Sequence, residues 1–456
     1  MFENSKKLSL LAVLVGGTLL AAPEYRGGVP AEEVHVRNGI GNFLAKVKSG
    51  KAVTVAYLGG SITAQAGWRP MTTAWLQRTY PAAKFKEIHA AIGGTGSDLG
   101  VFRLEHDALQ YDPDLLFVEF ATNDGGAAPE SIWRQMEGIV RQTWHKNPAT
   151  DIVFTYTITA PMLPEYSKGV CPRAASAMEM LADYYGIPSV GFGPRVAAEV
   201  KAGRLVMNLA DAEKETAVPV DTPKRDLAIV EALAKQGKLL FAKDGVHPMV
   251  PVNPQAAEGP VVGHTFYLWS ITNAFAKMSG SRPLDHAKQL ANPFVTDNLE
   301  AAKMVLLEPS MLSGNWVKLP KEDAKMKSFG GRMDEIWHSG TPGDKITFKF
   351  KGTCCKIYDL LGPDGGQVWI TVDGKKSSKP IPRFDSYCTY HRIATLNVYN
   401  GQDGIHTVEI EIDAEQPDRR KVAFRLKDPD KELAESKYQG TKYWASKLML
   451  VGDLVK

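Results

Sequence analysis

The sequence predicts an α/β chain in which a doubly wound, three-layer α/β/α unit is followed by a β-sandwich of jelly-roll type. Three observations carry this. From Val53 to about Met278, short β-branched or apolar runs alternate with segments of helical period, the pattern of parallel strands joined by crossover helices. From about Asn292 the texture changes to short alternating runs separated by turn signals such as Asp373-Gly374 and Asp403-Gly404. The chain has 456 residues, 44% of them hydrophobic, which is enough material for two cores. The expected division is residues 1–22, 23–290 and 291–456.

Residues 1–22 carry Lys6-Lys7, an apolar stretch from Leu8 and the small pair Ala21-Ala22. This is the pattern of a secretory signal, with an uncleaved N-terminal anchor as the alternative. Export to the periplasm or the cell exterior is the expectation, and no later stretch of the sequence is long and apolar enough to span a membrane. The balance of 54 basic and 51 acidic residues, with no basic run, argues against a nucleic-acid or anionic-membrane partner. Of Cys171, Cys354, Cys355 and Cys388, neighbours 354 and 355 are poorly placed to bridge each other. One of them paired with Cys388 and four buried free thiols both remain open, and the spacing resembles no zinc site.

In order, an extended entry and a short helix precede the strand at Val53–Leu58, and Met71, Trp75, Leu76 and Tyr80 mark the helix after it. Phe85–Ile88, Leu115–Val118, Ile152–Tyr156 and Ile187–Val190 read as further strands. Phe102–Leu109, Ser131–Trp144, Ala174–Tyr185 and Gly263–Met278 read as helices, and the charged stretch Lys201–Lys238 as an insertion or cap over the sheet's edge. In the second unit the expected strands are Lys345–Phe350, Cys355–Asp359, Val368–Val372, Ile393–Val398, Thr407–Ile412 and Val422–Leu426.

Chemistry concentrates where strands end. Gly59-Gly60-Ser61-Ile62-Thr63 delivers a hydroxyl at a strand's C-terminal end, Gly93-Gly94-Thr95-Gly96-Ser97 frees backbone donors, Thr122-Asn123-Asp124 ends another apolar run, and Asp244-Gly245-Val246-His247 supplies an acid and a base. In this order and spacing the four blocks resemble those of the SGNH, or GDSL-like, hydrolases over roughly residues 50–280. The resemblance implies Ser61 as nucleophile, Asp244 and His247 as its acid and base, and an oxyanion hole from the amides of Ser61 and Gly94, or Gly93 one position earlier, with the side chain of Asn123. Two positions depart from the family: Gly60 stands where the first block has aspartate, and Ala121 where the third begins with glycine. Arg103 and Trp68, just beyond the blocks, are expected as an ion-pair residue and a core aromatic, with substrate contact as the alternative. His89, His106 and His264 lack a partner pattern and are expected in core or surface roles.

The implied reaction is ester hydrolysis through an acyl-serine, with no metal or cofactor. Export and the C-terminal sandwich favour an acetylated or short-acylated polysaccharide or oligosaccharide as partner. A lipase or thioesterase, and a glycan-binding protein that keeps the fold without catalysis, are the alternatives, and the oligomeric state is open.

Overall fold

The computed structural model describes residues 23–455; the expected signal segment, residues 1–22, lies outside the described residues. Six strands form the first sheet: β1 (Val34–His35), β2 (Ala52–Gly59), β3 (Lys84–Ala91), β4 (Leu115–Glu119), β5 (Asp151–Tyr156) and β6 (Ser189–Gly191). Their order is β1-β6-β5-β4-β2-β3, with β2 to β6 parallel and β1 antiparallel at the edge. The chain leaves β2 for β3 on one side and then crosses to β4 on the other, so the order reverses at β2. In open α/β sheets, that is where ligands bind.

The two faces of this sheet are written into the strands. In β2, Ala56 and Leu58 enter one core cluster while Val53, Val55 and Tyr57 enter the other. Leu116 and Val118 of β4 likewise separate from Leu115 and Phe117. Side chains alternate across a strand, so apolar residues at successive positions force helices onto both faces. Helices Ser97–Asp107, Pro129–Lys146 and Arg173–Tyr185 cover the first face. Gly41–Lys48, Trp68–Thr79 and Gly263–Lys277 cover the second.

Within Lys201–Lys238, helices Leu209–Thr216 and Arg225–Lys235 pack with a two-stranded ribbon, Leu205–Val206 and Leu239–Leu240, around a small core of their own. The helix expected from Phe102 begins at Ser97. Its first amide is satisfied by Asp124, far along the chain, rather than by a local cap.

The second unit is a β-sandwich built from one continuous, ten-stranded antiparallel sheet. Its centre is a 17-residue strand, Lys345–Leu361, flanked by Arg392–Ile412 and Tyr443–Val455. Four of the expected strands are thus halves of two long ones: Asp403-Gly404, read as a turn, lies inside a strand, whereas Asp373-Gly374 is the turn expected. Gly352 pairs with Gly404 on one side and Gly452 on the other, beside a register shift. A Cβ on Gly452 would stand 2.1 Å from the carbonyl oxygen of Lys351, and one on Gly352 2.2 Å from that of Val451.

The shift reverses parity. Ile346, Phe348 and Phe350 face the sandwich core before it, and Cys355 and Ile357 do so after it. The freed positions Cys354, Tyr358 and Leu360 join the core cluster of the hydrolase unit, together with Leu299, Met333, Trp444 and Met449. The central strand is therefore half amphipathic and half buried on both faces. Val422–Leu426, expected as a strand, is turn structure, whereas Tyr443–Val455, which the alternation did not single out, is central. All four cysteines are buried and free. No pairing with Cys388 forms, because Cys354 faces the hydrolase, Cys355 the sandwich core, and Cys388 a separate cluster with Leu361 and Phe384.

The backbone contact at the bulge makes a test. Gly452→Ala pushes a methyl into the Lys351 carbonyl and is expected to lower the free energy of unfolding by about 1 to 3 kcal/mol in urea titrations.

Candidate active site

Strand β2 runs out at Gly59, Gly60 continues it in an extended conformation, and Ser61 opens a single helical turn, Ser61–Ala64. The Ser61 Oγ lies 2.8 Å from Nε2 of His247, and the His247 Nδ1 lies 2.7 Å from the Asp244 Oδ2. The other carboxylate oxygen of Asp244 accepts the amides of Val246 and His247 at 2.9 and 2.8 Å. Gly245, at φ +75°, supplies the left-handed turn that folds aspartate and histidine together.

This geometry sets the tautomer. Nδ1–H donates to the carboxylate, which leaves the Nε2 lone pair to accept the serine proton. Burial acts to raise the Asp244 pKa, but the hydrogen bonds from His247 and the loop amides outweigh it and hold the carboxyl below its ordinary value. The histidine is 36% exposed and the aspartate 53%, so the triad lies at an open surface.

Two further loops converge on Ser61. Gly93 lies beside it: a Cβ there would be in ordinary contact with the Ser61 Cβ at 3.6 Å. Gly94 follows at φ +72°. From the other side the Asn123 carboxamide lies directly over Gly60, where a Cβ would stand 1.9 Å from its Oδ1. Glycine in place of the usual aspartate thus makes room for Asn123. Ser61, Gly93, Gly94, Asn123, Asp244 and His247 are all brought to one place.

The sequence reading missed the groups beneath. Glu119, at the end of β4, is buried and accepts the hydroxyls of Thr63 and Thr157 at 2.9 and 2.8 Å as well as the Gly60 amide. Burial pushes its pKa up, and these donors counter only part of that. The signal was present as one charged residue within the apolar run Leu115–Phe120. Asp124, also buried, accepts the Ser97 amide at 3.0 Å and ties the glycine loop to the Asn123 turn. Burial raises its pKa to about 7.

Arg103 is a buried ion-pair residue, held by Asp107 at 2.8 Å, that donates to the carbonyls of Gly59 at 3.0 Å and Ala90. Trp68 is a core aromatic among Tyr57, Phe117 and Phe192. His264 is buried, accepts the Trp68 amide at 3.2 Å, and is kept neutral by burial, its pKa lowered to about 3. Among the described residues no group of three or more His, Cys, Asp and Glu side chains is arranged to hold a metal ion, and no helix is long and apolar enough to cross a membrane.

Residues 57–248 match the model of the GDSL-like lipase/acylhydrolase family. No curated protein sequence matches the chain. Two solved structures of a two-domain esterase (CEX) active on acetylated mannans, one of them co-crystallized with mannopentaose, superpose with a TM-score of 0.63 each. Identity is 20% and 19%, over 93% of this chain and 99% of theirs. The likeness therefore extends through the fold of both units. Residues 57–248 thus resemble the GDSL-like lipase/acylhydrolase family and hold a serine, a histidine and an aspartate in hydrogen-bonded sequence, the arrangement of a serine ester hydrolase.

Proposed function

We propose that this protein is an exported esterase that removes acetyl or other short acyl groups from polysaccharide or oligosaccharide by way of an acyl-serine. The observation that carries the chemistry is the Asp244–His247–Ser61 relay, at 2.7 and 2.8 Å. His247 Nε2 takes the hydroxyl proton as Oγ adds to the ester carbonyl, and the carbonyl oxygen becomes an oxyanion. The amides of Ser61 and Gly94 and the side chain of Asn123 receive that charge, in a site preorganised before substrate arrives. The imidazolium returns its proton to the departing sugar hydroxyl. Water, deprotonated by the same nitrogen, then releases the acid and regenerates Ser61. Asp244, kept ionised, stabilises the imidazolium in both halves.

The openness of the site and the architecture support this substrate class. A triad this exposed suits a small acyl group on a bulky alcohol better than a long chain needing an apolar channel. The likeness in fold over both units to a two-domain esterase active on acetylated mannans supports this reading, and such polymers are the first substrates to assay. The pattern of residues 1–22 supports export.

The test is acetate release from 4-nitrophenyl acetate and from a panel of acetylated polysaccharides, wild type beside Ser61→Ala. Release from a polysaccharide by the wild type alone is expected, and equal silence from both on every ester overturns the reading. Asn123→Ala is expected to lower kcat roughly 100- to 1000-fold, about 3 to 4 kcal/mol, with an unchanged melting temperature.

Asp124 adds a pH test. Its folded pKa of about 7 lies above the ordinary 3.8, so the native state binds this proton more tightly than the unfolded chain does. The stability it contributes is complete below the ordinary value and lost as pH rises through the folded one. Asp124→Asn cannot ionise and escapes that loss. Its melting temperature relative to wild type is therefore expected to be higher at about pH 8 than at about pH 4, as scanning calorimetry across that range will read; a pH-independent difference counts against it.

A further inference from the structure

Strand β3 is the free edge of the central sheet, so its outward carbonyls have no strand beside them. Two of them, at the strand's C-terminal end, are not left to solvent. Helix Ala324–Met333 of the second unit ends against this edge, and the Nη2 of Arg332 donates to the carbonyls of His89 at 2.7 Å and Ala91 at 3.3 Å. The Nη1 of the same guanidinium lies 3.4 Å from the Asp107 Oδ2.

Asp107 joins two units. It also binds Arg103, whose Nη2 holds Gly59 and whose Nη1 holds Ala90. An Arg103–Asp107–Arg332 relay thus grips four carbonyls, those of Gly59, His89, Ala90 and Ala91. Gly59 stands two residues before Ser61, and Ala91 two residues before Gly93. These are the last strand residues before the nucleophile and before the glycine loop.

A second cation of the sandwich reaches the far end of that loop. Lys356 Nζ lies 3.7 Å from the Asp98 Oδ2 and 5.5 Å above the Phe102 ring, in the helix that the loop leads into. The helix bearing Arg332 is itself fixed. Met333 is buried in the shared core and its carbonyl accepts the Ser446 hydroxyl at 2.7 Å, while Asp334 pairs with the buried Lys447 at 2.6 Å.

We propose that Arg332 is a positioning residue for hydrolysis: the sandwich unit, through this guanidinium, fixes the strand end that aims the Gly93–Gly94 amides at the oxyanion. Two carbonyls and a carboxylate together need a planar, multi-donor cation, which arginine provides and lysine does not. A small displacement of a preorganised donor costs turnover far more than it costs binding. The assignment rests on the esterase reading above.

The experiment uses the full-length chain with Arg332→Ala, Arg332→Lys and Arg332→Gln, each checked for an intact fold by its melting curve. It reads kcat and KM on 4-nitrophenyl acetate and the affinity for a small boronic acid that forms a tetrahedral adduct with Ser61. The expected result for Arg332→Ala is a kcat lower by roughly 10- to 100-fold with KM nearly unchanged and a parallel loss of boronate affinity. Added methylguanidinium should restore part of both, and Arg332→Lys and Arg332→Gln should recover only a fraction. If Arg332→Ala does not fold, the same split is read from Arg332→Lys and Arg332→Gln.

Folded variants with wild-type kcat and boronate affinity overturn the assignment, leaving Arg332 a contact that only joins the units. So does a loss of kcat that methylguanidinium leaves untouched and that tracks a falling melting temperature. A wild type no more active than Ser61→Ala refutes the esterase reading itself, an outcome the variants cannot mimic.

Discussion

The site depends on one constraint of register. Gly59 of β2 pairs in parallel with Ala91 of β3 on one side and with Glu119 of β4 on the other, so three strands end on one line. Parallel strands all present their C-terminal ends to the same edge, and the reversal of order at β2 puts two crossover connections on opposite sides of Ser61. Ser61, the Gly93–Gly94 loop and Asn123 are then neighbours without any long-range search by their loops. The late Asp244–His247 turn arrives from outside the sheet. It is held there by the bond from the Met249 amide to the Phe241 carbonyl at 2.7 Å.

Keeping that line of strand ends rigid has required charge in the interior. Glu119 gathers two threonine hydroxyls and the Gly60 amide under Ser61, and Arg103 with Asp107 clasps the ends of β2 and β3. Buried ions are retained only when their hydrogen-bonding capacity is met, and removing one partner leaves the other uncompensated. An apolar substitute at Glu119 would have no means of holding two loops by their polar groups. The site's precision and its internal carboxylates have the same origin, because backbone amides and hydroxyls can be oriented only by acceptors.

What the sequence disclosed, and what it concealed, follows from the same physics. The candidate site residues were legible because each must be one chemical type in its block: Ser61 and Asn123 follow strand ends and Asp244 and His247 share a late turn, and the structure brings them together. The three layers were legible because β2, β4 and β5 carry apolar side chains at successive positions. The start of the helix at Ser97 was not, since its cap is Asp124, and neither was Tyr443–Val455, whose burial on both faces erases alternation. Glycines misled most in the sandwich. Asp403-Gly404 reads as a turn, yet Gly404 pairs within a strand with Gly352, which itself pairs with Gly452, where three backbones touch. Arg332 lies in a stretch to which the sequence reading assigned no element, and only the placement of a strand edge beside it distinguishes it.

The two halves of the central sandwich strand bear on what the second unit is for. Up to Phe350 its odd positions, Thr347 and Lys349, are exposed, as in any sheet with one wet face. Beyond the bulge, Tyr358 and Leu360 are buried against the hydrolase, and Trp444 and Met449 of the neighbouring strand join the same cluster. A binding module carried on a flexible tether would keep that face polar, because an apolar face of this extent is stable only when covered. The register shift at Gly352 is what turns the apolar residues toward the hydrolase at the right point along the strand. The sandwich is therefore built as a wall of the hydrolase, and the edge of β3, with the loop it leads into, is the part of the site that this wall adjoins.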